Sequence, residues 1–212
     1  MHSSHRHRPV AVVPGAPLLV PELVGLPGDP DADRLRERVL AAGRWLGERA
    51  HTWRVVGAEP LTSVDGADGP TSGTFAGFGA DVLVTTAPGA PSNDLPPSPD
   101  LPLPLLIAAW LRGSAAPSAR IVAADDEAEG LLFVLDGPNT LTARAPGGHR
   151  PEDEAVFDAQ VAAVTDGAPS DGLDGAWRAL ADAVDGRADV LYRGAPFGVG
   201  YLVATGGIGG GR

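Results

Sequence analysis

Short apolar runs alternate with amphipathic segments along this chain, and polar turns separate them. The run Val10–Val13 predicts a buried strand. Apolar residues recur every three or four positions through 33–49, which predicts a helix that Asp31 or Asp33 would cap. The run at 53–56 predicts a second strand. A strand, a helix and a strand in this order are typical of a parallel βαβ unit with a right-handed crossover.

The alternation continues towards the C-terminus. Further strands are predicted at 81–86, 120–124 and 131–135 and within 190–205. Further helices are predicted at 105–112, 155–164 and 173–184, and loops at 62–78 and 87–103. The order predicts an α/β protein, a single three-layer domain with a central, mostly parallel sheet flanked by helices. We expect this domain to span 10–205, between a disordered leader at 1–9 and a flexible, glycine-rich tail at 206–212.

Composition narrows the range of functions. The 212 residues carry a net charge of −11, which argues against a nucleic-acid partner because phosphate binding needs a basic face. The sequence has no cysteine, and all 16 of its basic residues other than histidine are arginine. Disulfides, thiolate catalysis and lysine Schiff bases are therefore excluded. No apolar run reaches membrane-spanning length, so we expect no membrane partner and a cytoplasmic location. Abundant alanine, glycine, proline and arginine suggests a GC-rich, actinobacterial genome.

Candidate chemistry lies where predicted strands end. The candidate catalytic residues are two carboxylates, Glu59 and Asp136. The candidate binding residues are Gly15, Glu22, Glu59, Asn139 and His149. His149 follows two glycines in a loop, whereas three of the other four histidines lie in the first seven residues. No pair of histidines has a credible ligand spacing and no serine lies in a GxSxG motif, so we expect neither a metal site nor a cofactor.

Five segments, in order, resemble a known family. They are VAVVPGAPLLVPELVG, GTFAGFGADV, LPLPLLIAAWL, LLFVLDGPNTLTARAPGGHRPEDEAVFDAQV and GAPFGVGYLVATG. Together they are similar to the class III extradiol dioxygenase-like superfamily, which includes the Memo-type proteins, and especially to an actinobacterial branch of it. The segment ADDEAEG departs from this pattern, because relatives usually have a longer helix there.

The resemblance implies an iron site that this sequence lacks. In the active enzymes a Pro-His-x-Pro turn supplies the first ligand, and the matching position here is Gly15. A second histidine would fall at Ala58 or Glu59, and the family's acid–base histidine would fall in 136–140. The family's glutamate ligand comes late in the chain, where nothing after Asp189 is acidic. The resemblance therefore implies a retained scaffold without the metal chemistry.

Several functions follow as hypotheses. The first is a metal-free homologue that binds a small molecule or a protein partner in the ancestral cleft. The second is an enzyme with changed, metal-independent acid–base chemistry, which predicts a carboxylate of raised pKa in that cleft. The third is a component of a larger assembly, a homodimer included, which predicts a large exposed apolar patch. A dioxygenase with unrecognised ligands is the fourth.

Overall fold

The structure is a computed structural model, and it describes residues 8–24, 28–58, 71–89, 97–98 and 101–207. The strands are β1 (Val10–Val13), β2 (Thr52–Val56), β3 (Ser72–Thr74), β4 (Leu83–Thr85), β5 (Arg120–Ile121), β6 (Gly130–Val134), β7 (Asp189–Gly194) and β8 (Tyr201–Gly206). The helices are α1 (Pro30–Gly47), α2 (Leu103–Ala115), α3 (Asp153–Thr165) and α4 (Gly175–Val184).

Six strands form the central sheet in the order β5–β2–β6–β1–β8–β7. The four strands from β5 to β1 run parallel, and β8 and β7 form an antiparallel hairpin against β1. The predicted strand, helix and strand at the N-terminus are present, but β6 lies between β1 and β2. The predicted α/β class with a mostly parallel sheet is confirmed. Within the described ranges, no helix combines the length and apolar character needed to cross a membrane.

Two helices cover each face of the sheet, which gives the three predicted layers. Helices α1 and α2 pack on the face that carries Ala11 and Val13, and α3 and α4 pack on the face that carries Val10 and Val12. All four β1 residues are buried, because both faces of a central parallel strand are covered.

The start of α1 corrects one expectation. Asp29 caps the helix, since its carboxylate accepts hydrogen bonds from the backbone N–H groups of Asp31 (2.9 Å) and Ala32 (3.2 Å). Pro30 follows at the first helical position, where its missing N–H costs nothing. Asp31 and Asp33, the expected caps, lie inside the first turn and pair with arginines three residues on.

The strand expected at 81–86 is also corrected. It forms as β4, but it pairs antiparallel with β3 in a separate two-stranded sheet. Strand β3 lies in a segment expected to be a loop, of which 62–70 are outside the described residues. The buried Arg112 of α2 binds the Thr85 carbonyl, and Ile121 donates to the Thr86 carbonyl (2.7 Å). These bonds fix β4 beside the β5 edge without making it a strand of the main sheet.

Candidate functional site

Strands β1 and β6 end side by side and bring two candidate residues together. Their parallel register pairs Val13 with Val134, so two residues further Gly15 and Asp136 are neighbours. The backbone N–H of Gly15 donates to Asp136 Oδ1 at 3.2 Å. An ideal Cβ at position 15 would lie 3.2 Å from Asp136 Oδ2. The carboxylate therefore leans over the glycine, into the space that a side chain would enter.

Tyr201 completes a row of three positions across the sheet. The antiparallel register pairs Val12 with Ala204, and three residues further it aligns Gly15 with Tyr201. Tyr201 packs in the core layer of α1 and α2, on the same sheet face as Val134 and, by strand alternation, Asp136. Asp136 and Tyr201 thus flank a glycine, on one face, at the carboxyl ends of the parallel strands. Ligands of open α/β sheets bind at this edge.

The backbone around Asp136 is fixed on both sides of the residue. The N–H of Gly137 donates to the carbonyl of Gly200 at 2.7 Å. The indole N–H of Trp177, on α4, donates to the carbonyl of Asp136 at 3.4 Å. The N–H of Gly200 donates to the carbonyl of Pro138 at 2.9 Å. The chain after β6 therefore joins the chain before β8 directly, beyond the end of β1.

Phe157 of α3 closes the opposite face of this junction. An ideal Cβ at Gly137 would lie 2.7 Å from Phe157 Cδ2, and one at Gly200 would lie 2.9 Å from the same atom. The ring is 4% exposed, and the guanidinium of Arg193 lies 5.5 Å from its centroid. Arg193 also forms an ion pair with Asp158. Both glycines are required because the aromatic ring occupies the space next to them.

The Asp136 carboxyl group lies in an open depression. It retains solvent contact, yet burial by the surrounding protein raises the pKa of Asp136 to about 6, while the Gly15 hydrogen bond acts in the opposite direction. Within the described ranges no arginine or histidine forms an ion pair with it. Desolvation without a cation favours the neutral acid, so this group changes protonation near neutral pH.

The Tyr201 hydroxyl lies in the same electrostatic environment. Burial, then the charge of Asp136, then Tyr192 on β7 raise the pKa of Tyr201 far above its usual range. The side chain is 3% exposed, and its hydroxyl has no hydrogen-bond partner in the part of the chain that is described. It is not among the fully buried polar atoms without a partner, so the oxygen itself reaches solvent.

The loop that follows Asp136 carries two more candidates. Gly147 donates to the carbonyl of Asn139 and Arg150 donates to the carbonyl of Thr140, both at 2.9 Å. The Thr140 hydroxyl donates to the carboxylate of Asp153, which anchors the loop on the first turn of α3. Asn139 and His149 both have exposed side chains on this loop.

The candidates thus separate into groups. The structure joins Gly15 to Asp136 and places Asn139 and His149 on the adjoining loop. Glu22 is exposed on a short 3-10 turn, Pro21–Leu23, that follows β1. Glu59 lies outside the described residues. Sequence reasoning missed Tyr201 and Phe157, although both lie in quoted motifs, GAPFGVGYLVATG and the Phe-Asp pair.

The residues present at this edge do not fit an iron centre. Glycine at position 15 has no donor atom, and a side chain there would meet the Asp136 carboxylate. Ala58, at the end of β2, also has no donor atom. Among the described residues no three histidine, aspartate or glutamate side chains come together as a metal site. The three N-terminal histidines and Glu59 are outside the described residues.

A second depression lies elsewhere in the molecule. It has a volume of about 430 Å³ and lies between β4 and the C-terminal half of α2, with an apolar wall that includes Val82, Leu83, Trp110 and Pro117. Its charged side chain, Arg112, is 4% exposed and donates to backbone carbonyls, including Thr85 O at 2.9 Å. Since this guanidinium is engaged by the protein, the depression offers little chemistry.

Comparison with known proteins adds no relative. No protein-family model matches this sequence, and no curated protein matches it. The functional conclusion therefore depends on the row formed by Asp136, Gly15 and Tyr201.

Proposed function

We propose that this chain is a metal-independent member of the class III extradiol dioxygenase-like superfamily. It binds a small molecule at the carboxyl ends of β1 and β6 and transfers a proton through Asp136. One observation carries the proposal: the Asp136 carboxyl group leans over Gly15 in a solvent-accessible depression, and burial raises its pKa to about 6.

A group of this pKa suits acid–base catalysis. Efficient proton transfer needs both protonation states near the working pH, and ordinary aspartates are fully ionised there. The Gly15 N–H holds one carboxylate oxygen at 3.2 Å, which leaves the other to face a ligand. The backbone bonds of Gly137 and Trp177 fix the residue that carries the group, so the carboxyl orientation is set before a ligand arrives.

A small molecule is a better occupant than a docked protein. The large exposed hydrophobic side chains among the described residues are Phe78, Leu83, Val156 and Val190. They belong to three different parts of the fold: the β3–β4 unit, α3 and β7. Scattered apolar side chains of this kind do not form a docking patch. Binding without catalysis is the alternative, and it assigns no role to the raised pKa of Asp136.

The test combines a titration with a binding screen. Carboxyl ¹³C NMR of aspartate-labelled protein gives the pKa of Asp136, with Asp136→Asn to assign the resonance. A fragment library is then screened by thermal shift at pH 7.5 against wild type, Asp136→Asn and the exposed control Asp182→Asn on α4. The proposal expects a pKa near 6 and hits that only Asp136→Asn loses. A pKa near 4, or hits that Asp136→Asn retains, would contradict it.

Metal independence has its own measurement. We expect full-length protein without a tag to contain no stoichiometric iron or zinc after dialysis against EDTA, as measured by elemental analysis. One equivalent of iron that survives dialysis, and that also survives removal of residues 1–7, would overturn metal independence. Metal that disappears with those seven residues would be held by His2, His5 and His7 and would leave the proposal intact.

A further inference from the structure

The Tyr201 hydroxyl is the one polar group of the row that the protein does not use. Only 3% of the residue is exposed. Buried tyrosines usually direct the hydroxyl to a partner, because an unpaired polar group is costly. Here the described structure provides no partner, while the oxygen keeps contact with solvent. The hydroxyl is therefore a free donor at the edge of the depression that holds Asp136.

Glycines on both neighbouring strands keep the space beside Tyr201 free of their own side chains. Gly15 aligns with it on β1 and Gly194 pairs with it on β7. The two glycine positions are covered by oxygen atoms instead. Asp136 Oδ2 lies 3.2 Å from an ideal Cβ at position 15, and Tyr192 Oη lies 2.8 Å from one at position 194. A carboxyl group and a phenol therefore flank the Tyr201 ring.

We propose, on the basis of the function proposed above, that Tyr201 contacts the substrate and that the substrate is an uncharged carbonyl compound. The Tyr201 hydroxyl donates a hydrogen bond to the carbonyl oxygen, and Asp136 removes a proton from the adjacent carbon. The two groups lie on opposite sides of Gly15, which provides the unobstructed position between them.

The step balances without a redox partner. The C–H bond next to the carbonyl breaks, and its proton passes to the Asp136 carboxylate. The electron pair of that bond forms a carbon–carbon double bond, and the carbonyl π pair moves to oxygen. The resulting enolate oxygen accepts the hydrogen bond from Tyr201. Return of a proton to either carbon gives exchange or isomerisation, and Asp136 exchanges its proton with water because it is solvent-accessible.

The charges in the depression agree with these roles. Tyr201 stays protonated, and thus a donor, throughout the range in which proteins are folded, because its pKa is strongly raised. Above about pH 6 Asp136 is an anion and can act as a base. The same negative charge, without a paired cation in the described structure, repels a carboxylate-bearing substrate. An uncharged carbonyl compound avoids this repulsion.

Deuterium exchange tests the inference with the full-length protein. Exchange of the α-hydrogens of cyclohexanone in D₂O near pH 7.5 is followed by ¹H NMR, with the anionic ketone 2-oxobutyrate as comparison. The variants are Asp136→Asn, Tyr201→Phe and the matched control Tyr192→Phe. Loss of an unpartnered hydroxyl should leave the fold intact, which circular dichroism melts verify.

We expect wild type to accelerate cyclohexanone exchange over buffer more than it accelerates 2-oxobutyrate exchange. Asp136→Asn should abolish the acceleration, Tyr201→Phe should reduce it about 100-fold, and Tyr192→Phe should keep it. Acceleration that depends on Asp136 but survives in Tyr201→Phe overturns the role of Tyr201 and leaves proton transfer standing. Preference for 2-oxobutyrate overturns the uncharged class. No acceleration, with fragment binding that still requires Asp136, overturns the carbonyl assignment alone. Absence of both effects overturns this inference together with the proposed function.

Discussion

Asp136 occupies the volume that a side chain at position 15 would enter. Its Oδ1 accepts a hydrogen bond from the Gly15 N–H, and its Oδ2 lies 3.2 Å from the ideal Cβ position of that residue. The glycine and the carboxylate are therefore fitted to one another, and a change at either residue acts on both.

Gly15→Ala should raise the pKa of Asp136 above about 6. The methyl group displaces the carboxylate by a few tenths of an ångström, weakens the N–H bond that favours the charged form and adds desolvation. The pKa is measured by carboxyl ¹³C NMR. Gly172→Ala is the control, because no atom lies within 4 Å of its Cβ position. An unchanged or lowered pKa in Gly15→Ala would refute the mutual fit.

Stability should depend on pH through Asp136. An acid whose pKa is higher in the folded protein contributes stability that is fully present below its unfolded pKa of about 3.8 and is lost as pH rises to about 6. The titratable group that faces it from β8 is Tyr201, which stays neutral in this range. Urea unfolding from pH 3.5 to 7 should therefore show wild type losing stability relative to Asp136→Asn. Parallel curves for the two proteins would show that burial does not shift this group.

Gly137→Ala should destabilise the fold by about 1–3 kcal/mol, because the new methyl group would lie 2.7 Å from the Phe157 ring. Urea unfolding measures the loss. Phe157→Leu in the same chain should recover part of it, since a smaller side chain relieves the contact. The double-mutant cycle reports this coupling. Purely additive costs of the two substitutions would mean that the ring does not limit position 137.

Asp29→Ala should cost about 1 kcal/mol of folding free energy, because it leaves two backbone N–H groups of α1 without their acceptor. Asp29→Asn keeps an acceptor and should cost less. Asp31→Ala is the matched control, since Asp31 only pairs with the exposed Arg34 at 3.4 Å. Thermal melts rank the three variants. A larger loss from Asp31→Ala than from Asp29→Ala would favour the cap that sequence reasoning expected.

The layered fold was predictable because its signals are local. The periodicity of 33–49 and the apolar runs at 10–13 and 131–135 reflect burial on one or both faces, which single segments reveal. The cap of α1 was missed because three aspartates lie within five residues, and only the φ angle fixed by Pro30 selects Asp29. The pairing of β3 with β4 was missed because it depends on contacts of Arg112 with a distant part of the chain.

The site was predictable only in part. Asp136 follows an apolar run, and Gly15 follows another, so each was recognisable as a strand-end residue. Their contact depends on the parallel register of β1 with β6, and that of Tyr201 on the antiparallel return of β8. Registers between strands more than a hundred residues apart leave no trace in either segment. Tyr201 therefore resembled an ordinary core aromatic residue.

The direct bonds between Gly137 and Gly200 have a consequence for how ligand preference can change. They join β6 to β8 beyond the end of β1, while Phe157 seals the α3 side. Gly15 is thus the floor of a niche whose flanks are main chain and whose mouth opens towards α1 and α2. Such a niche cannot be widened by trimming side chains, because its breadth equals the separation of two strands. Only residues at its mouth are free to diversify, so new substrates would be gained there while the floor stays as it is.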